Sequence, residues 1–113
     1  MANSITTGFT RKSLLGYAAS QRGSFEKTLS ELVEIPSVSA DQKHQTDVSE
    51  IVSRAADLMR RMGGEARVLD TGGHPMLHGR FGQSSDYPMV TVYDHLDAPG
   101  HTEARIRMPF AHR

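Results

Sequence analysis

The chain has 113 residues, the size of one modest domain, and its 13 basic residues balance its 13 acidic residues. Because there is no net charge, no overall field draws the chain to nucleic acid or to anionic lipid, and we expect neither as a partner. The absence of cysteine excludes disulfides and thiolate metal sites, so a transition metal here would take only histidine and carboxylate ligands.

Residues 1–22 are rich in Ser, Thr and Gly around a weak apolar cluster, and they predict a flexible leader or a short helix. The cluster is shorter than the apolar region of a signal peptide, which has roughly 7 to 15 residues. No apolar run approaches the ~20 residues of a bilayer-spanning helix. We therefore expect a cytoplasmic protein with no membrane partner.

Two amphipathic helices are predicted next. In the first, apolar residues recur at helical spacing from Phe25 to Val33, and Pro36 ends it because proline disfavours the helical conformation in the residue before it. The second follows Asp41, a suitable N-cap, and ends at Gly63, since glycine accepts the left-handed cap conformation. Its apolar face comprises Val48, Ile51, Val52, Ala55, Leu58, Met59 and Met62.

Three short β-like runs follow the helices, at residues 66–69, 76–81 and 89–93. The last run is the most apolar, so we expect it to be the central strand. The order of elements predicts an α/β fold in which two N-terminal helices pack on a short mixed sheet of about three strands.

The third run leads directly into Asp94, His95 and Asp97. In an extended chain, residues two apart point the same way, so His95 and Asp97 would share a face while Asp94 points to the other side. A metal-bound imidazole commonly donates its second N–H to a carboxylate. This pattern predicts a metal ligand at His95 and an orienting acid at Asp97. The alternative is an exposed loop that holds these residues without a metal.

His74 and His78 form a second possible metal pair, but Pro75 excludes the helix that would place them on one face. We expect them to be turn and edge residues. Solvent exposure is the expectation for three further histidines: His44, His101 and His112.

Four features occur in the order and spacing of a known enzyme family. They are residues 32–39 (Leu-Val-Glu-Ile-Pro-Ser-Val-Ser), the helix ended by two glycines, the strand at 68–69, and residues 90–97 (Val-Thr-Val-Tyr-Asp-His-Leu-Asp). Together they resemble the zinc metallopeptidases and amidohydrolases of the aminoacylase, carnosine dipeptidase and succinyl-diaminopimelate desuccinylase type. The resemblance implies that residues 23–97 are the N-terminal part of a three-layer catalytic domain. Residues 98–113 lack a clear period, and we expect them to be an irregular tail.

By this resemblance, His95 matches a ligand of one of two zinc ions, and Asp97 matches the catalytic-site acid that orients it. Cobalt or manganese could replace zinc. The implied substrates are dipeptides or N-acyl amino acids, hydrolysed by a metal-bound water.

The sequence departs from the family pattern after Asp97, where Glu103 is the sole acid and no Glu pair occurs. The general base and at least three metal ligands of the family are therefore missing. We expect a fragment with an incomplete site and little activity; a truncation, a shifted reading frame or an engineered fragment would each account for it. The alternative is a non-catalytic chain that acts by associating with another subunit. The exposed edge of the sheet also predicts self-association.

Overall fold

The computed structural model describes residues 9–82 and 84–98. Their elements are α1 (Arg11–Ser20), α2 (Arg22–Val33), a short 3-10 helix (Gln42–His44), α3 (Gln45–Arg61), β1 (Glu65–Leu69) and β2 (Met76–Arg80). The chain divides into two compact units between Glu31 and Leu32. None of the helices in these described ranges combines the length and the apolar character needed to cross a membrane.

The first unit contains α1 and most of α2. Thr10 begins α1 with a capping box: its side chain accepts from the Ser13 N–H at 3.1 Å, and the Ser13 hydroxyl accepts from the Thr10 N–H at 2.9 Å. Arg22 and Glu26 form an ion pair one turn apart on α2. Neither helix has a buried residue. Of the two structures predicted for residues 1–22, the described part of this segment contains the short helix. Residues 1–8 are outside the described residues.

In the second unit, α3 follows the predicted signals closely. Asp41 caps the 3-10 helix by accepting from the Lys43 N–H at 2.9 Å, and α3 continues directly from it. At the other end, Gly63 adopts a φ of 88°, which confirms the predicted left-handed cap. Met62 is exposed, so the predicted apolar face stops one turn earlier. The buried residues of α3 are Val48, Ile51, Val52, Ala55 and Ala56.

β1 and β2 form an antiparallel hairpin in which Val68 pairs with Leu77 and Ala66 pairs with Gly79. The loop between them turns at Gly72, whose φ of 77° favours glycine. Side-chain hydrogen bonds brace this loop, including one from the Thr71 hydroxyl to the His74 carbonyl at 2.6 Å.

One face of the hairpin packs against α3 and completes the core. Leu77 packs on the buried cluster of Ile35, Ile51 and Val52. Gly79 leaves room for α3, because a Cβ at this position would overlap the sulfur of Met59. The helix and the hairpin thus form two layers.

The predicted third strand is wrong. Residues 89–93 form no strand in the structure, and the sheet has two antiparallel strands instead of a mixed set of about three. Val90 and Val92 are 82% and 84% exposed, so this run is not the centre of the core. A strand requires a hydrogen-bonded neighbour as well as β-forming side chains, and the segment has none within the described residues. α1 lies where a flexible leader or a short helix was predicted, so the described residues contain this short helix in addition to the two predicted amphipathic helices.

Candidate functional site

The two predicted site residues lie next to each other. His95 Nδ1 is 3.5 Å from Asp97 Oδ1, which is an electrostatic contact slightly longer than an N–H···O hydrogen bond. The imidazole is 72% exposed and the carboxylate 34% exposed. The exposed-loop alternative described above shares this geometry, so the metal role stays a prediction.

Asp97 is held by a residue far away in the sequence. The Ser39 hydroxyl donates to Asp97 Oδ2 at 2.5 Å across 58 positions of the chain. This hydrogen bond lowers the pKa of Asp97 below its ordinary value of 3.8; a positive charge on His95 adds a smaller effect in the same direction, and partial burial opposes both. Asp97 is therefore an ionised acceptor at neutral pH.

The backbone around Ser39 and Asp97 is joined by a short parallel bridge. Val38 pairs with Ala98, and the Ala98 N–H donates to the Ser37 carbonyl at 2.9 Å. Ser37 is 1% exposed, and its hydroxyl points to the Leu96 carbonyl at 3.5 Å. The turn at residues 35–39 thus holds residues 96–98 in place through a β-bridge and hydrogen bonds.

The roles of Ser37 and Ser39 were missed by the sequence reasoning, which placed both in a turn. The available signal was the recurrence of small hydroxyl residues in the Ile-Pro-Ser-Val-Ser segment, since such side chains pair with backbone and carboxylate groups in turns. Nothing in the spacing identified Asp97 as the partner, because the contact depends on the tertiary fold.

Two residues next to His95 contact it. The Tyr93 ring meets the imidazole edge to face, with ring centres 5.4 Å apart and an interplanar angle of 74°. Asp94 accepts a hydrogen bond from the His95 backbone N–H at 2.8 Å. The Asp94 carboxylate is therefore engaged with the backbone next to it, and it remains outside the candidate site.

The other described histidines have separate surroundings. His44 Nδ1 lies 2.7 Å from Asp47 Oδ2 at the start of α3, and its side chain is only 19% exposed, so the expected solvent exposure is wrong. His74 lies in the hairpin loop, and His78 is an exposed residue of β2 that alternates with the core-facing Leu77. His101 and His112 lie outside the described residues.

A groove of about 750 Å³ lies elsewhere on the second unit, between β2 and residues 87–92. Its walls are largely apolar, with Met59, Phe81 and Val92 among them, and Arg80 contributes a charged side chain. Neither His95 nor Asp97 lines this groove. It is separate from the candidate site.

The His95 and Asp97 pair meets part of the requirement for a metal centre. With Nδ1 directed at a carboxylate, the neutral ring is expected to carry its proton there and to leave the Nε2 lone pair available. Residues 9–82 and 84–98 contain no group of three or more His, Asp or Glu side chains that could hold an ion. The pair accordingly fits one ligand and its orienting acid, and the described residues do not form a complete shell.

Comparison with known proteins gives no family assignment. No protein-family model matches the chain, and no curated protein or solved structure is significantly similar to it. The resemblance to zinc peptidases therefore remains a prediction based on the motifs in the sequence.

Proposed function

We propose that this chain contributes one ligand and its orienting acid to the metal centre of a hydrolase of peptide or amide bonds, of the dipeptidase and aminoacylase type. His95 is the proposed ligand and Asp97 the orienting acid. Zinc is the proposed metal, with cobalt or manganese as possible replacements. Dipeptides or N-acyl amino acids are the proposed substrates of the complete enzyme.

The contact between the two motifs of the family resemblance carries this proposal. Ser39 belongs to the Ile-Pro-Ser-Val-Ser segment and Asp97 to the His-x-Asp segment, and their side chains share a hydrogen bond. Each motif is weak by itself. Their meeting in space supports a common role, because it brings a serine, an acid and an imidazole together at one point.

The orientation of His95 gives further support. Its Nδ1 faces Asp97 and its ring is largely exposed, so the Nε2 atom is accessible to an ion from solvent. A bound zinc ion would lower the pKa of its water and polarise the substrate carbonyl. The part of this chain's own residues is to hold the imidazole in one tautomer and one direction.

Calorimetric titration with zinc chloride tests the proposal. Wild type is compared with His95→Ala, and His78→Ala is the matched control because His78 is exposed on β2, apart from the candidate site. We expect His95→Ala to reduce the zinc-dependent heat and His78→Ala to retain it. Equal binding by all three proteins would remove the metal role of His95.

A second candidate function is association with another subunit, and a specific observation favours it. The apolar segment, residues 89–93, is exposed over its length, with Met89, Val90, Val92 and Tyr93 each more than two thirds exposed. Exposed apolar segments that lack a strand partner favour association. In this reading the chain acts by pairing with a second copy or with a larger subunit, and the metal pair has no role.

A further inference from the structure

The two oxygens of the Asp97 carboxylate have different partners. Oδ2 accepts from the Ser39 hydroxyl at 2.5 Å, while Oδ1 faces His95 Nδ1 at 3.5 Å. The terminal torsion of an aspartate is broad, so a carboxylate with one partner turns easily. The hydrogen bond at Oδ2 therefore favours the direction in which Oδ1 faces His95.

Ser39 is itself presented from a restrained turn. Val38, the residue before it, pairs with Ala98 in the parallel bridge, and the Val38 carbonyl accepts from the Asp41 N–H at 3.2 Å. Ser37 lies fully buried below the turn. Because hydrogen bonds hold the backbone before and after Ser39, its hydroxyl is directed at Asp97 by the fold.

His95, in contrast, has few restraints of its own. Its ring is 72% exposed, and its described side-chain neighbours are Asp97 and the edge of Tyr93. Tyr93 is 79% exposed and provides no rigid wall. The ring direction therefore depends mainly on where the Asp97 carboxylate is held.

We infer that Ser39 is a positioning residue for His95 and acts through the Asp97 carboxylate. The relevance of this role to catalysis rests on the proposed function. The turn at residues 35–39 then has two tasks: Ser37 and Val38 anchor the backbone of the site, and Ser39 orients its acid. Removal of the hydroxyl frees the carboxylate to turn toward water. The contact between His95 Nδ1 and Asp97 Oδ1 is then lost, and the ring reverts toward the tautomer with its proton on Nε2.

The test is the ring-nitrogen spectrum of His95, recorded by NMR without metal at a fixed pH at which the ring is neutral. The variants are Ser39→Ala, Ser39→Thr and Asp97→Asn, with Ser53→Ala as the control because Ser53 is exposed on α3. We expect wild type, Ser39→Thr and Ser53→Ala to favour the Nδ1–H tautomer. In Ser39→Ala and Asp97→Asn this fraction is expected to fall toward that of a free imidazole, because Nδ1 loses the carboxylate held in front of it.

If Ser39 only stabilised the fold, a variant with a native amide spectrum would keep the wild-type tautomer of His95. A changed tautomer in a variant with a native amide spectrum therefore indicates a positioning role. An unchanged Nδ1–H fraction in Ser39→Ala overturns the inference, and so does a failure of the threonine variant to restore it. If Ser39→Ala does not fold, Ser39→Cys replaces it, because a thiol is a weaker donor of similar size. We expect this variant to have an Nδ1–H fraction between those of wild type and Asp97→Asn. A wild-type Nδ1–H fraction in Ser39→Cys overturns the inference. The tautomer measurement uses no metal, so its failure is distinct from a failure of the proposed metal site. The zinc titration of His95→Ala tests the metal site.

Discussion

The hydroxyl of Ser39 donates a hydrogen bond to the carboxylate of Asp97, 58 residues further along the chain. This bond links the turn after α2 to the segment that holds His95. It is also the main reason that the pKa of Asp97 lies below its ordinary value. Because the bond strengthens when Asp97 is ionised, it makes the stability of the second unit depend on pH.

Replacement of Ser39 by alanine should lower the free energy of unfolding at neutral pH by about 1 kcal/mol, since Asp97 is partly exposed and the bond is partly screened. The lowered pKa of Asp97 gives the sign of the pH dependence. The stabilisation is complete above the unfolded value of 3.8 and is lost as the pH falls through the lower folded pKa. Urea unfolding of wild type and Ser39→Ala, measured from about pH 6 to about pH 3, should give a difference in stability that narrows toward the acid end.

Ser53→Ala is the control for this series, because Ser53 is exposed on α3 and makes no hydrogen bond to a titrating side chain within residues 9–82 and 84–98. Its difference from wild type should be small and independent of pH. A Ser39→Ala difference that stays constant down to the lowest pH would show that Asp97 is not the acceptor that matters in solution.

Local signals predicted the helical part of the fold well. The Asp41 cap and the Gly63 turn set the ends of the helical segment around α3, and both act through backbone geometry within a few residues. β1 and β2 were also predicted as β-like runs separated by a glycine-containing turn, but their antiparallel pairing with each other was not predicted.

The third strand and the serine contacts could not be predicted for the same physical reason. The run from Met89 to Tyr93 has high β propensity, but strand formation depends on a neighbour that the local sequence does not specify. The Ser39 bond to Asp97 likewise depends on how two distant loops meet. His95 and Asp97 were identified as neighbours because only two positions separate them, whereas the residue that holds Asp97 required the fold.

Ser37→Leu should destabilise the second unit by about 1 to 3 kcal/mol, because Ser37 is 1% exposed and a larger side chain has no space below the turn. Ser37→Ala, which fits the same space, should cost less than about 1 kcal/mol since its hydroxyl makes only a long bond. Chemical denaturation measures both. Ser53→Leu on the exposed face of α3 is the control for added size, and an equal effect of the two leucine variants would contradict the tight packing of Ser37.

Gly79→Ala should cost about 1 kcal/mol, because the added methyl group would overlap the Met59 side chain that packs on β2. The methionine end is flexible, so the overlap is relieved by moving it at some loss of contact. In the double variant with Met59→Ala, the cost of the Gly79 change should largely disappear. A double-mutant cycle from urea unfolding measures this coupling, and strictly additive effects would indicate that the two residues do not touch.

Zinc, cobalt or manganese added to the purified chain should give no dipeptide or N-acyl amino acid hydrolysis above that of the metal alone. Catalytic zinc normally has three protein ligands and a water, and the described residues bring together a single histidine with its acid. Amino acid release measured against a metal blank tests this expectation. Robust turnover that His95→Ala abolishes would mean that the site is completed by residues not assigned above.

The exposed apolar segment, residues 89–93, should cause the chain to associate as its concentration rises. Val90 and Val92 are 82% and 84% exposed, and lysine at both positions should weaken association because like charges on the segment repel each other and remain hydrated. Sedimentation velocity over a range of concentrations measures the effect. Leu14→Lys, which replaces an exposed apolar residue of α1, is the control and should associate like wild type. A wild-type chain that stays monomeric at every concentration, or a double variant that associates equally well, would contradict a role for this segment in assembly.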